Sequence, residues 1–161
     1  MGLFTTSGLT ISITTTTTDP ATFNAVGYAA LSYTEISGLE NAGGFGDESN
    51  EVTADDIGLG RTIKLKGQRN AGNMDLVFLL NDADAGQTLL RAAEADDSTG
   101  NFHFKVTLPN KLASPGADAI RYFSAKVMTA KENFDTADTV AKLNATIGIN
   151  TAIVSVAATA S

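Results

Sequence analysis

The stretch NFHFKVTL, residues 101–108, alternates without a fault: Phe102, Phe104, Val106 and Leu108 on one side, Asn101, His103, Lys105 and Thr107 on the other. A period of two is the mark of a strand with one buried face. It predicts His103 on the solvent side, a surface residue and not a catalytic base. Working outward, GLTISITTTTT (8–18) sets Leu9, Ile11 and Ile13 against Thr10, Ser12 and Thr14, and KLNATIGI (142–149) sets Leu143, Ala145, Ile147 and Ile149 against Lys142, Asn144 and Thr146. Residues 29–37 read as a further strand. RTIKLKG (61–67) puts Ile63 and Leu65 opposite Lys64 and Lys66. MDLVFLLN (74–81) is apolar at nearly every position, which predicts burial on both faces. QRNAGN between these last two reads as the turn of a hairpin. IRYFSAKVMTA (120–130) and the small, β-branched end TAIVSVAATAS (151–161) are also strand-like.

One helix stands out in NDADAGQTLLRAAEADD (81–97). Asp82 or Asp84 can cap its amide end, and Ala85, Leu89, Ala92 and Ala93 fall near one face. The expected fold class is mainly β (α+β): a sandwich or barrel of about seven to eight strands with one flanking helix. The terminal segments carry Thr, Ala and Val where protective Lys or Pro would be expected, and unprotected edges recruit other chains, so edge-to-edge assembly is expected.

The chain has 161 residues, 43% hydrophobic and 18% charged, and suits a single domain over residues 1–161. It has no cysteine, so disulfides and thiolate metal sites are excluded. No apolar run approaches the roughly 20 residues that cross a bilayer, and the start lacks the basic residues of a secretory signal, so no membrane partner is expected. Met1, Gly2 and Thr6 fit a loose acylation pattern that is better read as chance. Eight carboxylates and no base precede Arg61; eleven bases and ten acids follow, for a net charge of −7. Such a chain repels phosphates, which argues against adhesion to nucleic acid by charge.

Residues 41–60, NAGGFGDESNEVTADDIGLG, hold five carboxylates, five glycines and no base. They predict a long protruding loop, and a loop of that size in a small domain needs a functional reason.

Chemistry is sparse. The one histidine gives no base for a hydrolase, and no serine sits in a Gly-x-Ser-x-Gly turn, so no catalytic residue is assigned. Asp82 and Asp84 have the spacing that begins a calcium loop, but Gly86, Gln87 and Ala93 stand where ligands or a glycine are needed, and capping explains the aspartates better. The loop carboxylates Asp47, Glu48, Asp55 and Asp56 offer calcium a weaker alternative. No metal or cofactor is assigned. The segment GLGR precedes a strand, not a helix, so it builds no phosphate cradle.

The order of elements resembles the tail tube proteins of long-tailed bacteriophages. YTEISGLE (33–40) leading into the acidic loop, RTIKLKGQRNAGNMDLVFLLNDADAGQTLLRAAE (61–94) and IRYFSAKVMTAKENFDTADTVAKLNATIGIN (120–150) carry the likeness. The resemblance implies a structural virion protein, made in the bacterial host's cytoplasm, whose copies join into hexameric rings stacked as a tube. DNA would pass through an acidic channel without specific binding, and other tail proteins (tip, terminator, tape measure) would be partners. Phe45, Asp47, Glu48, Glu51, Val52, Asp55, Asp56 and Ile57 would then form an inter-subunit loop, and Glu35 and Asp75 would line the lumen. Lys64 and Lys66 sit awkwardly in an acidic channel, and two placements stay open for them: near the channel, or paired with a neighbour's acidic loop. The alternative is a free-standing β-sandwich module that binds protein or carbohydrate, although the chain lacks tryptophan.

Overall fold

The computed structural model describes residues 3–160, so Met1 and Gly2 of the acylation pattern lie outside the described residues. The alternating stretch becomes β7 (Phe102–Thr107), pairing on one side with β1 (Thr10–Thr14) and on the other with β8 (Ile120–Asn133). β8 continues onto β9 (Lys142–Ile149), which pairs with β6 (Asn73–Leu79). The short β2 (Tyr33–Glu35) and β3 (Leu39–Asn41) close the two ends of this path, and β10 (Val154–Val156) pairs with the first residues of β8. The sheet is eight-stranded and antiparallel, in the order β2-β1-β7-β8-β9-β6-β3 with β10 beside β8. The mainly β class and the flanking helix are as expected. The sheet does not close into a barrel, so β2 and β3 are left as open edges.

The inner face carries the core: Ile11 and Ile13 of β1, Phe104 and Val106 of β7, Phe123 and Ala125 of β8, Leu143 and Ile147 of β9, and Met74, Leu76 and Phe78 of β6. Each such side chain other than Ala125 contributes roughly 1.5–3 kcal/mol by transfer from water. Helix α2 (Ala85–Ala95) lies over this face. Asp84 is its cap, accepting from Gln87 N at 2.9 Å. The buried helix residues are Gly86, Gln87, Leu90 and Ala93, so of the expected face only Ala93 is inside; Ala85 and Ala92 are exposed and Leu89 is half-buried. The turn lies tighter on the sheet than periodicity suggests because Gly86 lets it: a Cβ there would stand 2.2 Å from the Glu35 carbonyl oxygen. Gln87 then fills the gap. It accepts from Asn81 N (2.9 Å) and donates to the Ser37 (2.9 Å) and Leu79 (2.8 Å) carbonyls, tying helix, β6 and the β2–β3 link together.

Three further expectations are corrected. Residues 29–37 are not one strand: α1 (Ala25–Ala29), capped by the Asn24 side chain, precedes the three-residue β2. β6 alternates instead of burying both faces, with Asp75 and Leu79 turned out, because only α2's side of the sheet is covered there. His103 points to the polar side of β7 but not to solvent; it is 0% exposed, because α1 and the segment before β10 fold over that part of the sheet.

Candidate functional site

Residues 41–60 are not a loop throughout. Their second half is β4 (Glu48–Asp56), whose one partner is β5 (Arg61–Asn70) in a separate two-stranded sheet. QRNAGN therefore does not turn β5 back onto β6. Ala71 and Gly72, with φ of 73° at Gly72, instead lead the chain out of the hairpin and into the large sheet. Ile63 and Leu65, read as members of a sheet face, lie in this hairpin outside the core.

The register defines the arm's two faces. Val52 opposes Leu65 and Ala54 opposes Ile63, so these four share one side; Glu51 opposes Lys66, Thr53 opposes Lys64 and Asp55 opposes Thr62 on the other. A residue offset between Ser49 and Glu51 marks a bulge near the root. Val52 is 48% exposed, Leu65 56% and Ile57, in the turn, 98%. An amphipathic ribbon with an open apolar side is marginally stable alone in water.

Charge is divided by strand. β4 holds Glu48, Glu51, Asp55 and Asp56 and no base; β5 holds Arg61, Lys64, Lys66 and Arg69 and no acid. Within the arm Lys64 Nζ lies 3.9 Å from Glu51, and Arg69 3.3 Å from Asp47. Both are solvent-exposed pairs worth little to stability. At the tip Asp56 accepts from Leu59 N and Asp55 from Thr62 Oγ1. Asp47 and Glu48 at the root lie far along the ribbon from Asp55 and Asp56 at the tip, so the four do not converge on a cation.

The expected site residues separate into groups. Glu48, Glu51, Val52, Asp55, Asp56 and Ile57 all sit on the arm, with Asp47 at its root. Phe45 does not join them: it is half-buried with its ring 5.5 Å from Phe123 and anchors the approach to the arm. Glu35 and Asp75 are exposed, but Glu35 is on the β2 edge strand and Asp75 on β6, with β1, β7, β8 and β9 between. Asp75 shares the outer face with residues the sequence reading did not single out. It accepts from Thr146 Oγ1 at 2.8 Å, and nearby Lys142 meets Glu40 at 2.9 Å. The polar half of the KLNATIGI alternation was the signal that could have marked Lys142 and Thr146.

A second cluster has the look of a catalytic group. His103 Nδ1 is 2.6 Å from Ser124 Oγ, and Nε2 is 3.8 Å from Asp19. Nε2 also lies 2.9 Å from the Thr18 carbonyl, which only accepts, so this nitrogen carries the proton. Nδ1 then accepts from Ser124, whose oxygen receives the Tyr28 hydroxyl at 2.9 Å. Burial lowers the histidine's pKa and keeps the ring neutral. Ser124 and His103 are both fully buried, so no substrate reaches the hydroxyl. The cluster pins α1 to β7 and β8.

No protein-family model and no curated protein sequence matches the chain. Solved structures do. The chain is similar to one in an extracellular contractile injection system, the PVC sheath/tube terminator in the extended state (TM-score 0.67, 14% identity, 96% of this chain and 97% of that one). It is also similar to one in the tail of an empty gene transfer agent particle with C6 symmetry (0.64, 16%, 96% and 100%), and to the SPP1 tail tube (0.63, 10%, 95% and 78%). At these identities the shared property is the fold, and the resemblance carried by residues 33–40, 61–94 and 120–150 agrees with it.

Proposed function

We propose that this chain is the tube subunit of a phage-type tail, a structural virion component with no reaction of its own. The match of nearly the whole chain to folds from tail and injection-system assemblies carries the reading. Copies join through the open β2 and β3 edges into hexameric rings, and the rings stack. The arm leaves the ring to contact a neighbouring copy, where its apolar side of Val52, Ile63 and Leu65 loses water. Tip, terminator and tape-measure proteins complete the tail.

The channel is lined by the polar outer sheet face, with Asp75 and Glu35 as its carboxylates; Glu40 beside them is paired with Lys142. Six copies at −7 each give a ring about 42 negative charges. Carboxylates within a Debye length of roughly 8 Å repel DNA phosphates, so DNA passes without adhering.

Concentrated purified protein is expected to form rings or tubes by negative-stain microscopy and to sediment as a large species. A strictly monomeric sedimentation profile at high concentration counts against the reading.

A further inference from the structure

The arm orders its charges by height as well as by strand. At the tip Asp55 and Asp56 face Thr62 and Arg61; midway Glu51 faces Lys66, with Lys64 beside it; at the root Arg69 faces Ser49 and reaches Asp47. Acid and base stand level at Glu51–Lys66 and Asp56–Arg61, and every other charge in the arm keeps to the same division, acids on β4 and bases on β5. Among the described residues each strand has only the other as partner, so the outer edge of each presents unpaired backbone groups.

We propose that the arms of adjacent copies lie side by side, the β5 edge of one against the β4 edge of the next, so that the arms form a closed collar. This rests on the ring reading above. Rotational symmetry holds neighbouring arms at equal height, and at equal height Lys66 and Arg61 of β5 meet Glu51 and Asp56 of the adjoining β4, while Lys64, level with Thr53, falls between Glu51 and Asp55. β4 and β5 run antiparallel within an arm, so two arms pointing the same way also bring β5 and the neighbour's β4 together antiparallel, as a continuing ribbon requires. In the register that keeps sides aligned, the Val52 and Leu65 sides of all arms merge into one apolar band. A two-fold contact would instead set β5 against β5 or β4 against β4, like charge on like at each height. Lysines on an edge strand normally refuse another strand. Here Lys64 and Lys66 admit an acidic edge and refuse a basic one, so the same residues select head-to-tail closure over pairing of two arms.

Two variants test this: E51K/D55K makes the arm basic overall and sets a base at the height of Lys66, and K64E/K66E makes it acidic overall and sets an acid at the height of Glu51. The four positions lie on the exposed polar side of the arm or at its tip, so circular dichroism is expected to match the unsubstituted protein. Each variant alone is expected to lose pelletable tube by roughly tenfold or more, because like charges meet at the joint. An equimolar mixture is expected to recover it, since basic and acidic arms alternate around an even-membered ring. Assembly of either variant alone at the unsubstituted level overturns the collar, and so does a mixture that stays dispersed. In both cases tubes of the unsubstituted protein leave the ring reading standing; their absence removes the ring reading, and the collar with it.

Discussion

β9 and β5 are written in the same alphabet and live in opposite surroundings. KLNATIGI and RTIKLKG both alternate aliphatic with polar residues. Yet Leu143, Ala145, Ile147 and Ile149 are buried, whereas Ile63 and Leu65 are exposed on a ribbon with one partner. Alternation fixes local conformation and gives the strand two unlike faces. It does not say whether the apolar face is covered by the chain's own core or is kept for another molecule. β5 differs in its setting: its partner strand is rich in carboxylates, and glycines lie on both sides of the pair.

The largest expected effect is in the core. Phe123 stacks on Phe104 at 5.5 Å and supports Phe45, so Phe123→Ala is expected to cost about 3–5 kcal/mol in urea unfolding. A loss under ~1 kcal/mol would show that the sheet interior is less tightly joined than described. Next comes Gln87→Leu, which strands the Asn81 amide and the Ser37 and Leu79 carbonyls; a destabilisation of about 2 kcal/mol or more is expected.

The third prediction follows His103. Its folded-state pKa lies below the unfolded value, so the unfolded chain binds the extra proton first. Stability from this residue is fully present above the unfolded pKa of about 6.5 and is lost as pH falls through and below it. Asp19, 3.8 Å away, acts in the opposite direction but is outweighed by burial. Unfolding midpoints between pH 8 and 5 should fall, and His103→Gln should flatten that slope; an unchanged slope would remove His103 as its source. The smallest effect on the monomer is at the arm: Leu65→Ala should shift unfolding by only about 0.5 kcal/mol. It should nevertheless reduce tube assembly in the same preparation, and a variant that assembles normally would separate the arm's apolar side from tube formation.

Much of the sheet was legible. The strict alternations at β1, β7 and β9 gave the right inner faces, and the helix and its Asp84 cap followed from ordinary capping chemistry. What was hidden depended on the opposite wall. His103 sits on the predicted polar side, but a lone strand carries no notice that Tyr28 will fold over it. Gly86 and Gln87 looked like failed calcium positions, and their role in close packing shows only when β2 is in place. The segment's acidity was plain from composition, and the resemblance singled out Val52 and Ile57 within it. Phe45 was not separable from them, because its partner Phe123 is 78 positions further along the chain.

The hairpin begins at the Glu48–Asn70 pair and returns to the sheet within Ala71 and Gly72, so its root is a fixed doorway and everything beyond it is reach. Adding one residue to each strand lengthens the arm by about 3.4 Å but swaps its greasy and wet sides beyond the addition; adding two restores them. Reach can therefore change only in paired increments of about 7 Å, a graduated scale set by the pleat and independent of the fold from which it extends.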